Sequence, residues 1–75
     1  MEKKDISVEA WREYDIGVDT PDGAKIHTIR IVKPKDLYIS ASGSHRVVDA
    51  EGITHWLPSD FLTIRWYAPN EPVSF

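Results

Sequence analysis

The sequence predicts a mainly β fold: a small antiparallel bent sheet or Src-homology-like barrel of five or six short strands, with a short N-terminal helix. Three observations predict it. Apolar and polar residues alternate in several short runs, and turn-forming residues interrupt those runs every roughly 8 to 12 residues. The chain has 75 residues, enough for one domain spanning 1–75 and no more.

The elements follow in order. Residues 1–5 are polar and expected to be mobile. Ser7 suits the N-cap of a helix running from Val8 to Arg12 or Glu13, with Glu9 in the first turn, where the helix dipole favours an acid. Ile6 and Trp11 fall at the two positions of a hydrophobic staple, although Ala10 stands where a capping box needs Glu or Gln. So short a helix must be held by packing Trp11 on the rest. Tyr14, Ile16 and Val18 then alternate with Asp15, Gly17 and Asp19, and Thr20-Pro21-Asp22-Gly23 is a turn. Residues 25–33 read as a strand, with Ile29 and Ile31 on one face and Thr28, Arg30 and Val32 on the other, ended by Pro34. Leu37 to Ser40 form a short strand before the turn Ala41-Ser42-Gly43-Ser44.

His45–Asp49 and Ile53–Leu57 form the clearest hairpin. A type I turn at Ala50-Glu51 followed by a left-handed Gly52 sets Val48 opposite Thr54, Val47 opposite His55, Arg46 opposite Trp56 and His45 opposite Leu57. After the break Pro58-Ser59-Asp60, Leu62, Ile64 and Trp66 alternate with Thr63, Arg65 and Tyr67. The proline-rich tail 69–75 suits an extended edge only. Trp11, Ile29, Ile31, Ile39, Ile64 and Trp66 are the expected core.

Composition excludes several function classes. There is no Cys, hence no disulfide, thiolate metal site or Cys nucleophile, and a reducing compartment fits. No apolar run approaches a membrane span, and the polar start leads into no signal-type core, so a cytoplasmic protein is expected. The net charge of −3 hides a basic segment, 25–48, between acidic flanks. Lys25, Arg30, Lys33, Lys35 and Arg46 therefore form a candidate nucleic-acid surface within 25–46. A binder of this size usually has a basic total, and cross-strand pairing with the acidic flanks accounts for the same pattern.

His45 and His55 share a hairpin face at roughly 7 Å, a separation that suits a shared metal. No HxH or HExxH spacing supports such a site, and histidines that hydrogen-bond within a sheet explain the pattern, so no metal or cofactor is expected. Catalysis has little support: no serine lies in a Gly-x-Ser-x-Gly elbow, and the four glycines are scattered. Trp56 and Arg46 face one another across the hairpin as a cation–π pair. With Tyr38 and Tyr67 they compose an aromatic, basic recognition surface of the residue types that anchor interfaces.

The stretch Ser44-His45-Arg46-Val47-Val48-Asp49-Ala50-Glu51-Gly52-Ile53-Thr54-His55, with Thr63-Ile64-Arg65-Trp66 and the ending Pro72-Val73-Ser74-Phe75, resembles short uncharacterised proteins of tailed bacteriophages and prophages. The likeness covers residues 11–75 and carries no catalytic or binding motif. It implies a context, a small accessory protein made in the cytoplasm of an infected or lysogenic bacterium. The expected function is a non-enzymatic interaction module for a protein partner, reached through the aromatic face or an exposed sheet edge. Such an edge also offers a route to a homodimer.

Overall fold

The computed structural model describes residues 1–69. Its strands are β1 (Glu2–Asp5), β2 (Trp11–Thr20), β3 (Gly23–Val32), β4 (Pro34–Ile39), β5 (His45–Asp49), β6 (Thr54–Leu57) and β7 (Thr63–Tyr67). They form two antiparallel sheets, one in the order β1-β4-β5-β6 and the other β3-β2-β7, without closing into a barrel. The segment expected to be mobile contains β1, which pairs with β4 from Glu2 opposite Ile39 to Asp5 opposite Asp36. Of the proline-rich tail, residues 70–75 lie outside the described residues.

The expected N-terminal helix is absent, and no helix occurs among the described residues. The physical reason lies on both sides of Ser7. Asp5 accepts the Ser7 N–H at 2.9 Å, and Glu9 N–H closes a turn on Ile6 C=O at 3.0 Å. From Trp11 onward burial alternates with period two, Arg12 and Tyr14 buried between half-buried Trp11, Glu13 and Asp15. Strand pairing on both sides of β2 therefore outweighs a capped turn too short to stabilise itself.

β3 passes into β4 through Lys33, whose φ of 52° turns the chain from one sheet into the other. Two backbone bonds hold this corner, Lys33 N–H to Ala10 C=O at 3.0 Å and Ala50 N–H to Lys33 C=O at 2.9 Å. The core lies between the sheets. Tyr14 and Ile31 come from one, Leu37, Val47 and Leu57 from the other, and Ile6 from the turn between them. Ile29, Ile39 and Ile64, expected in the core, pack against it as partly buried residues, as does Phe61.

Two expected core residues lie elsewhere. Trp66 is 51% exposed because β7 is an edge strand; its ring covers the Arg12 guanidinium at 5.0 Å. Trp11 sits on the outer face of the β3-β2-β7 sheet, opposite Val32 and Tyr67, because it belongs to a strand and not to a packed helix. The β5–β6 hairpin has the expected register, from Val48 opposite Thr54 to His45 opposite Leu57. Gly52, at φ +84°, takes the left-handed position, and Asp49 N–H reaches Ile53 C=O at 2.9 Å.

Candidate functional site

The hairpin register brings three of the four expected interface residues into one row. Lys3 stands opposite Tyr38, Tyr38 opposite Arg46, and Arg46 opposite Trp56, all on the face of the β1-β4-β5-β6 sheet away from the core. Trp56 is 60% exposed. Lys3 Nζ lies 5.7 Å from the Tyr38 ring centre. Arg46 makes no cation–π contact with Trp56, although the two stand opposite one another. A shallow depression of about 230 Å³ lined by Met1, Tyr38, Arg46, Val48 and Thr54 completes this face. Neither Lys3 nor Arg46 has an ion-pair partner among the described residues.

Tyr67 belongs to a different surface. It lies on the outer face of the β3-β2-β7 sheet, 6.3 Å from the Trp11 ring. The other expected cations do not converge. Arg30 pairs with Glu13 at 3.0 Å and lies 4.6 Å over Trp11; Lys25 projects from the opposite face of β3; Lys33 occupies the corner between the sheets; and Lys35 lies on β4. On the Arg30 side the basic segment meets its acidic flank across strands. Asp15 similarly accepts Arg65, Thr28 and Thr63, and these bonds hold its carboxyl far below the usual range.

A polar network that sequence reasoning missed lies between the sheets. Arg12, 5% exposed, donates Nε–H and Nη2–H to the two carboxylate oxygens of Glu9, both at 2.9 Å, and Nη1–H to the Tyr14 hydroxyl at 3.1 Å. Tyr14 Oη lies 2.6 Å from His45 Nδ1. A guanidinium only donates, so the Tyr14 hydroxyl accepts from Arg12; its own buried proton has His45 Nδ1 as its one acceptor within reach among the described residues, and goes there. That direction assigns His45 as the neutral tautomer with hydrogen on Nε2. Burial, with the charges of Arg12 and Lys4, holds His45 below the usual imidazole range. Burial likewise pushes the Tyr14 phenol up, against the Arg12 bond. In Arg12, burial is outweighed by the bonds to Glu9 and Tyr14, and the guanidinium is raised. The signal in the sequence was the period-two placing of Arg12 and Tyr14, which the spacing of Glu9 and Arg12, equally suited to a helix, concealed.

The two hairpin histidines are engaged separately. His55 Nε2 lies 2.9 Å from Asp49 Oδ2, while the other Asp49 oxygen accepts Glu51 N–H at 2.9 Å and Ile53 N–H at 3.0 Å. The His55 bond, with these backbone bonds, holds the Asp49 carboxyl low. No group of three or more metal-ligating His, Asp or Glu side chains occurs among the described residues. Among the described residues no helix is long and apolar enough to cross a membrane. Comparison with protein-family models, curated proteins and solved structures returned no match.

Proposed function

We propose that the protein is a non-enzymatic binding module that docks an acidic, extended segment of a protein partner on the outer face of the β1-β4-β5-β6 sheet. One observation carries this reading: the row Lys3, Tyr38, Arg46 and Trp56 places two cations and two aromatic rings side by side, with Trp56 60% exposed. Exposed Trp, Tyr and Arg are the residues that dominate binding energy when buried by a partner. The two cations favour carboxylates opposite them, and β6 is a free edge among the described residues, on which an extended segment can continue the sheet. The phage or prophage setting is supported by the sequence resemblance alone. For the architecture, we read an opened variant of the Src-homology-like barrel, supported by the tight β3-to-β4 corner, where the chain bends from one sheet into the other at Lys33.

The same row suits stacking of single-stranded nucleic acid on aromatic rings. The net charge of −3 and the acidic row beside it, Asp5 opposite Asp36, weigh more against a polymer charged at every nucleotide than against a short segment bearing a few carboxylates opposite Lys3 and Arg46. Affinity capture from bacterial lysate, with Trp56→Ala and Arg46→Glu as controls, tests the proposal, alongside titration with single-stranded DNA and RNA at low salt. Capture of an acidic protein by the wild type, lost in both variants, is the expected result. Capture unaffected by either variant, or a salt-sensitive oligonucleotide complex lost in both, overturns it.

A further inference from the structure

Beside the turn between β1 and β2 the two sheets stand apart, and a cavity of about 410 Å³ opens there, walled by residues of β1, β2, β4, β5 and β7. That volume lies in the range of pockets that hold small ligands, roughly 300–1,000 Å³. Much of the wall is apolar, from Ile6, Leu37, Ile39 and Ile64, with the more exposed Val8 and Trp66.

The polar groups of this wall are unevenly engaged. Glu9 is spent on Arg12 in a two-point ion pair, and Asp5 accepts the Ser7 N–H. What remains without a partner among the described residues is mainly donor. Arg12 uses three of its five N–H groups, leaving one on each terminal nitrogen. His45, with Nδ1 occupied by Tyr14, presents Nε2–H. Lys4 has only Glu2 among the described residues, at 3.4 Å, in an exposed pair. Behind the effect of burial, Arg12 and Lys4 stand near enough to His45 to lower its proton affinity, while of the two carboxylates on this wall Glu9 is paired with Arg12.

We propose that this cavity binds a small organic carboxylate with an apolar body. The carboxylate takes N–H donors from His45, Arg12 and Lys4, and the body lies along Trp66 and the aliphatic wall. The site is separate from the outer face that carries Trp56 and does not rest on the reading given for it. The probe is phenylacetate, titrated into the ¹⁵N-labelled full chain at low salt. Saturable amide shifts confined to residues 4–12, 37–39, 45 and 64–66 are expected. Acetate, which lacks the apolar body, and phenylacetamide, which lacks the charge, are each expected to bind about tenfold more weakly. Lys4→Gln, at an exposed position, weakens phenylacetate about threefold, and Trp66→Ala about tenfold, with the fold of each checked by its spectrum. The proposal is overturned by the absence of saturable shifts up to about 10 mM, by shifts centred on Trp56, or by equal binding of phenylacetamide.

Discussion

Tyr14 is fully buried, yet its hydroxyl links a buried ion pair to a histidine. Tyr14→Phe keeps the ring and its edge contacts with His45 and Phe61 but leaves an Arg12 N–H and His45 Nδ1 without their partner. A loss of about 1–3 kcal/mol is expected, read as a lower urea midpoint at unchanged slope. His45 gives the same network a pH signature. Its folded-state pKa lies below the unfolded value near 6.5, so between the two the unfolded chain binds more protons and stability rises with pH. The contribution is complete above pH 6.5 and is lost as pH falls through the lowered folded value. The depressed carboxyls Asp5, Asp15 and Asp49 act in the same direction only below their usual value of 3.8, and so fall in a lower window. Urea midpoints measured from about pH 8 to about pH 5 are expected to decline for the wild type and to flatten in His45→Gln. An equal decline in both would assign the slope elsewhere.

At the scale of the element, backbone conformation decides more than side-chain contact. A methyl group added at Gly52 would have nothing within 4 Å of it, so Gly52→Ala meets no steric obstacle and costs only the left-handed conformation at φ +84°. About 1 kcal/mol of destabilisation is expected in thermal melts, without change in the hairpin register. Lys33 poses the opposite case, a side-chain-bearing residue at φ 52°. Lys33→Val is expected to destabilise by about 1–2 kcal/mol, whereas Lys33→Gly holds or gains stability; destabilisation by both would place the cost in the lysine side chain. These two corners also mark how far the sequence could be read. The Gly52 turn was legible because its loop chemistry is local, and it fixed the row containing Arg46 and Trp56. The β3–β4 corner was visible only as a strand end at Pro34, because a non-glycine residue in the left-handed region carries no compositional signal. The helix expected after Ser7 failed for a related reason. A cap and a staple are local, while the pairing of β2 with both β3 and β7 depends on residues far along the chain. Tyr38, Arg46 and Trp56 could be grouped from the hairpin and its neighbour; Tyr67 could not, because strand order places it on the other sheet.

At the scale of the molecule, the unequal lengths of the strands determine where the fold is firm. β7 pairs with β2 only from Trp11 to Asp15, whereas β3 continues to pair with it as far as Thr20. Residues 16–20 and 23–27 therefore project as a two-stranded ribbon, with Ile26 69% exposed and Val18 38%. The radius of gyration, 13.4 Å against about 11 Å for a compact chain of this length, agrees with such a projection. A two-stranded ribbon in water is marginal by itself, since it lacks a third strand and a covered face. The ribbon is thus expected to open without unfolding the core. Native-state hydrogen exchange tests this directly: ribbon amides between Val18 and Ile26 should exchange through local openings of low free energy that denaturant hardly changes. Core amides at Tyr14, Ile31 and Val47 should exchange with the free energy and denaturant dependence of global unfolding. Ile26→Thr should then leave the global stability within about 0.5 kcal/mol of the wild type, because the side chain is already in water. A single exchange free energy shared by ribbon and core, or a larger loss from Ile26→Thr, would mean that the ribbon is covered in solution. Its free edge on β3 would then be the first place to look for a second copy of the chain, by sedimentation at increasing concentration.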